Sequence, residues 1–228
     1  MQLVRTIARY GSLGAVLLAL ASPTVSAGET PQKLLFDTPY LTELKLPSSL
    51  SYTYRHDADD PKLFGKPFTD TIAVDLSKPS NAQHANSVSM RIFTGPRARK
   101  LGPNVDMKGN PIIMIFLERD LWEMKRRVGG EPIYYRNKIR RALREAATVE
   151  KVEVSFEGKT VPGHKVSITP FADETANRRM EKYLKKRYEF TVADAVPGGF
   201  YKVRSSVPLE GDSSKDLVAD ELTYTKQD

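Results

Sequence analysis

No cysteine occurs anywhere in the chain. That excludes a disulfide framework, a thiolate nucleophile and thiolate metal ligands, so stability has to come from packing. Tryptophan occurs once, at Trp122, and histidine, the side chain that ordinarily titrates near neutrality, three times, at His56, His84 and His164. Acidic residues are missing before Glu29. Long apolar runs are also missing. The uninterrupted stretch Leu13–Ala21 falls well short of the roughly 20 residues that span a bilayer. There is no Gly-x-Ser-x-Gly elbow, His-Glu-x-x-His pair, P-loop or dinucleotide fingerprint.

The residues that are present at the start follow the plan of an export signal. Arg5 and Arg9 precede the apolar stretch, Pro23 breaks it, and Val25-Ser26-Ala27 places small residues where signal peptidase cuts. The expectation is a leader over 1–27, cleavage before Gly28, and a protein released into the periplasm without stable membrane insertion. The rest, 28–228, is read as one α+β domain. Losing two arginines and no acid lowers the formal charge from +7 to +5. A balance of that sign favours anionic partners, and export argues against nucleic acid among them.

Residues 28–48 hold Pro31, Pro39 and Pro47 and read as an irregular lead-in with room for a short helix. Alternation then signals strands: Tyr52 and Tyr54 share a face, as do Ile72, Val74 and Leu76, and Val88, Met90 and Ile92. Gly, Pro and Asn over 95–110 predict a long surface loop. The apolar run 111–117 reads as a strand buried on both faces. Asp120 and Glu123 then read as a capping pair for a helix carrying Leu121, Met124 and Val128, stopped by Gly129-Gly130. Pro132 opens a second helix with Ile139, Leu143, Ala146 and Ala147 buried. Glu157-Gly158-Lys159 turns a hairpin, Met180, Tyr183 and Leu184 predict a third helix, and Pro197-Gly198-Gly199 a sharp turn. Eight or nine strands with few helices between them mean a mainly antiparallel sheet with about three helices on one face, an α+β class.

Arg136, Arg140 and Arg144 recur every four residues and form one stripe of the 132–147 helix. With Lys182, Lys185 and Lys186 they are candidates to bind an anion, because such groups grip phosphate. The bland alternative is a solvated helix face. Tyr52, Tyr54, Phe156, Phe190 and Tyr201 are candidates to line an apolar hollow, and equally to fill a core. His56 with Asp57, Asp59 and Asp60 lacks the spacing of a calcium loop and reads as a polar loop. His84 and His164 show no catalytic partner in sequence. No residue is assigned a catalytic, metal or cofactor role; Glu118 and Asp120 are the acids a hydrolase would use.

The order of elements across most of residues 48–226, a leader followed by meandering strands and helices, resembles the periplasmic half-barrel proteins of the lipoprotein-carrier (LolA/LolB-like) superfamily. The stretches Asn110–Asp120 and Tyr188–Tyr201 also resemble exported alphaproteobacterial proteins. The resemblance implies a curved half-barrel sheet with helices on its concave side, and it carries no functional residue across. The leading expectation is a non-enzymatic periplasmic protein that binds an apolar or amphipathic ligand such as a lipid, or an anionic envelope component. An envelope-assembly adaptor with a protein partner and an envelope-polymer hydrolase remain as alternatives.

Overall fold

The computed structural model describes residues 29–227, so the expected leader and its cleavage site lie outside the described residues. Alternating stretches become strands because each buries one face and leaves the other in water. Nine form: β1 (Ser48–Ala58), β2 (Phe68–Ser77), β3 (Ser87–Ile92), β4 (Arg99–Val105), β5 (Thr148–Phe156), β6 (Lys159–Ile168), β7 (Arg187–Val192), β8 (Phe200–Leu209) and β9 (Asp212–Gln227). They make one antiparallel sheet in the order β4-β3-β2-β1-β9-β8-β7-β6-β5. Each half is a meander, and the two halves meet where β1 pairs with β9 in the register Tyr54↔Leu222. The class is α+β, with a curved, open half-barrel-like sheet.

Two-residue turns close the β5–β6 and β8–β9 hairpins, and longer links join the other strands. Glu157 and Gly158 both have positive φ between β5 and β6, the twist that matches a two-residue hairpin. Gly198 is held more tightly: at φ +74°, a Cβ there would lie 2.4 Å from Leu50 Cδ1 and 2.7 Å from Asn110 Nδ2. Helices are α1 (Pro61–Phe64), α2 (Ile112–Val128) and α3 (Pro132–Glu145), with single π or 3-10 turns at Lys33–Asp37, Gly95–Arg97 and Arg178–Tyr183. The core lies between α2, α3 and the sheet face bearing Leu50, Tyr52, Val74, Val166 and Phe190.

Four sequence expectations are corrected. The apolar run 111–117 is the first half of α2, not a strand. Its residues Ile112, Ile113, Ile115, Phe116 and Leu117 are buried almost all round, which erases the amphipathic period that marks a helix. Asp120 and Glu123 are therefore mid-helix and cap nothing; Asp120 is in the core and Glu123 pairs with Arg126 and Arg127. Part of the expected loop 95–110 is β4, an edge strand with every residue exposed. The expected third helix is only the six-residue 3-10 turn Arg178–Tyr183.

Candidate functional site

Pro132 starts α3 without losing a bond, since the first helical N–H groups have no intrahelical acceptor. The helical period then puts Ile139 and Leu143 on the face turned to α2, with Arg136, Arg140 and Arg144 along its margin. Opposite them α2 presents Leu117 and Leu121, and the lead-in segment closes a third side with Phe36. These three walls enclose a cleft of about 880 Å3, within the usual range for small-molecule sites. Its floor is apolar and its rim is cationic.

The three arginines are not equivalent. Arg136 makes a bidentate pair with Glu118, Nη2 lying 2.7 and 2.9 Å from the two carboxylate oxygens. That pair fixes the register of α2 against α3. Arg140 and Arg144 are exposed and have no ion-pair or hydrogen-bond partner among the described residues. An incoming anion therefore meets two guanidinium groups that it need not win from a carboxylate.

The other candidate cations divide. Lys182 and Lys185 are exposed on the 178–186 segment and do not line the cleft. Lys186 is a correction: its side chain is buried, and Nζ lies 2.8 Å from Asp120 Oδ1. The aromatic candidates divide as well. Tyr52, Tyr54 and Phe190 are buried in the packed core. Phe156 and Tyr201 stay partly open and line a second groove of about 710 Å3 together with Tyr224, whose ring meets that of Phe156 edge-on. Sequence reasoning missed Leu117 and Phe36 as cleft walls, the first because its segment read as strand.

Between α2 and the sheet lies a buried polar cluster that was not foreseen. Asp120 accepts from Lys186 Nζ, from the Tyr188 hydroxyl at 2.5 Å and from the Ser205 hydroxyl at 3.3 Å. Nearby, Asp220 accepts from the Tyr54 hydroxyl at 2.5 Å and from His56 Nδ1 at 2.8 Å. His56 Nε2 faces the Phe64 carbonyl at 3.2 Å. Arg119 Nε donates to the Tyr54 hydroxyl at 2.8 Å and completes the set.

Burial pushes the Asp220 carboxyl upward, but hydrogen bonds from His56 and Tyr54 and the charges of His56 and Lys186 outweigh it. Asp220 thus sits below the ordinary carboxylate range. Burial, reinforced by the charge of Asp220, holds the Tyr54 phenol well above its ordinary value. Tyr188 is raised in the same way by burial and Asp120. None of these residues lines either cleft. The cluster is a satisfied polar core, not an open reaction site.

The remaining sequence candidates are structural. His56 is on β1, not in a polar loop, and Asp60 caps α1 through the N–H groups of Lys62 and Leu63. His84 does have an acidic partner, Asp106, at 2.7 Å, and His164 pairs with Glu29 of the lead-in segment. Glu118 and Asp120 do not form a facing carboxyl pair: two residues apart on one helix, they point about 200° apart and each is held by its own cation.

No protein-family model matches the chain, and no curated protein does. Among solved structures it is similar to the lipoprotein LppX of Mycobacterium tuberculosis, at 11% identity and a TM-score of 0.32, over 80% of this chain and 87% of that one. It is also similar to a LolA-superfamily protein of Nitrosomonas europaea, at 10% identity and a TM-score of 0.23, over 87% and 93% of the two chains. No site residue is carried over from either structure.

Proposed function

We propose that this is a non-enzymatic cell-envelope protein that binds an anionic amphipath in the cleft between α2, α3 and the lead-in segment. The observation that carries the reading is the pairing of an apolar floor, Leu117, Leu121, Ile139 and Leu143, with the guanidinium groups of Arg140 and Arg144 on its rim, which have no partner among the described residues. An acyl chain of a lipid fits the floor, where removal of each CH2 from water is worth about 0.8 kcal/mol. A phosphate or carboxylate headgroup fits the rim, because charge-assisted bonds to guanidinium are the strong ones. A leader over the first 27 residues would carry this chemistry to the periplasm, where anionic lipids are at hand, and so supports the reading.

Native mass spectrometry of the protein as it accumulates in cells, before and after adding phosphatidylglycerol, tests the reading. The expected result is a complex of one lipid per chain that resists dilution. Arg140→Ala and Arg144→Ala should each weaken it at least tenfold, taking roughly 1.5 kcal/mol per lost charge-assisted bond. Arg178→Ala, an exposed arginine outside the cleft, should leave it unchanged. Equal weakening by all three substitutions would show only a general attraction of anions to a basic surface, and the reading would fail.

A further inference from the structure

Trp122 is the single tryptophan of the chain and, among the described residues, the most exposed of the large apolar side chains, at 58%. It sits on α2 one turn beyond Glu118, and Met114, 42% exposed, lies one turn before. The Glu118–Arg136 pair sets the helices side by side. Ile133, 50% exposed, stands in the first turn of α3, next to the loop that joins it to α2. The loop end of the hairpin thus shows water an apolar stripe that the core has no use for.

Cations surround this stripe. Lys125 Nζ lies 5.5 Å from the Trp122 ring centroid and 3.1 Å from Glu131, Arg126 is exposed and paired with Glu123, and Arg140 and Arg144 continue along α3 with no partner among the described residues. Residues 112–145 hold nine Lys and Arg against five Asp and Glu. Protein interfaces keep charge away from the centre of the patch; here an ammonium group stands over the indole itself. Indole with flanking cations suits the boundary between acyl chains and negative headgroups instead.

We infer that the loop end of the α2–α3 hairpin is a docking face for an anionic phospholipid bilayer. Trp122 and Ile133 enter the headgroup boundary, and Lys125 and Arg126 exchange their surface partners Glu131 and Glu123, pairs worth little in water, for the lipid phosphates. The cleft opens on the same side, since Met114, Arg140 and Arg144 line its rim. Docking does not depend on what the cleft holds.

The test is co-sedimentation of the full chain with vesicles of phosphatidylglycerol and phosphatidylethanolamine, against vesicles of phosphatidylcholine alone, with tryptophan emission read in parallel. Because Trp122 is the sole tryptophan, emission reports this one position. Pelleting with anionic vesicles only, a blue shift on binding, and quenching by lipids brominated near the headgroup are expected. Trp122→Ala should reduce partitioning about tenfold. Removing Lys125 and Arg126 should reduce it about fivefold for each charge. Unchanged circular dichroism confirms that these surface variants fold.

Protein that stays in the supernatant with every vesicle overturns the inference and leaves this face to a protein partner. Equal pelleting with both vesicle types, or pelleting without any change in emission, overturns it too. Lipid that leaves the vesicles and stays with protein in the supernatant reports on the cleft, so the two readings fail separately.

Discussion

Asp120 and Lys186 face each other inside the protein, each less than a tenth exposed, at 2.8 Å. Taking either charge out of water costs several kcal/mol, so the pair is tolerable only while both members are present. Asp120→Ala strands the ammonium and should cost about 3 to 5 kcal/mol, read from urea unfolding midpoints. Replacing both, Asp120→Leu with Lys186→Met, should recover part of the loss. The remainder belongs to the hydroxyls of Tyr188 and Ser205, which lose their acceptor. A double variant no more stable than Asp120→Ala would show that the pair itself matters little.

Asp220 makes a prediction in pH. Its folded value lies below the ordinary 3.8, so its contribution is complete above that value and fades as pH falls through the folded one. The urea midpoint should therefore drop as pH falls below about 4. Asp220→Asn should lower the midpoint throughout yet make the drop shallower, because the substituted group no longer takes up a proton. An unchanged slope would assign the acid sensitivity to surface carboxylates such as Asp75 beside Arg91. Neither cluster was legible in the sequence. His56 and Asp220 are 164 residues apart, and nothing in a local pattern announces a partner at that distance.

At the scale of elements, legibility followed exposure. Strands with one wet face kept their alternation, and β1, β2 and β3 are where Tyr52, Ile72 and Val88 predicted them. α3 was legible for the same reason, and its arginine stripe follows from a period of 3.6 residues. Half of the candidate site came with it. The other half was lost because α2 begins with an apolar run buried on every side but that of Met114, where helix and strand look alike. β4 was hidden by its Gly-Pro pair, which an edge strand accommodates because one row of its N–H groups needs no partner. That position makes it the weakest strand. By hydrogen exchange read by mass spectrometry, β4 amides should exchange well before those of β1, β8 and β9. Equal protection across the sheet would mean that β4 is covered by something else.

For the whole molecule, the seam between β1 and β9 decides whether there are one or two folding units. The N-terminal meander β1–β4 and the C-terminal meander β5–β9 are each closed by local turns, and the central contact joins strands from opposite ends of the described chain. The seam is reinforced from above: Arg119 of α2 reaches Tyr54 of β1, while Asp120 reaches Tyr188 of β7 and Ser205 of β8. Cutting the chain after Gly211, which removes β9, should therefore do more than delete one strand. It exposes the Leu50–Tyr54 face of β1 and the Val203–Val207 face of β8, and leaves Tyr54 and His56 without Asp220. Such a chain should lose its cooperative urea transition by circular dichroism and collapse or aggregate through two new apolar edges. If instead a cooperative transition of smaller amplitude survives, one meander folds on its own, and the seam is a docking surface between two units that happen to share a sheet.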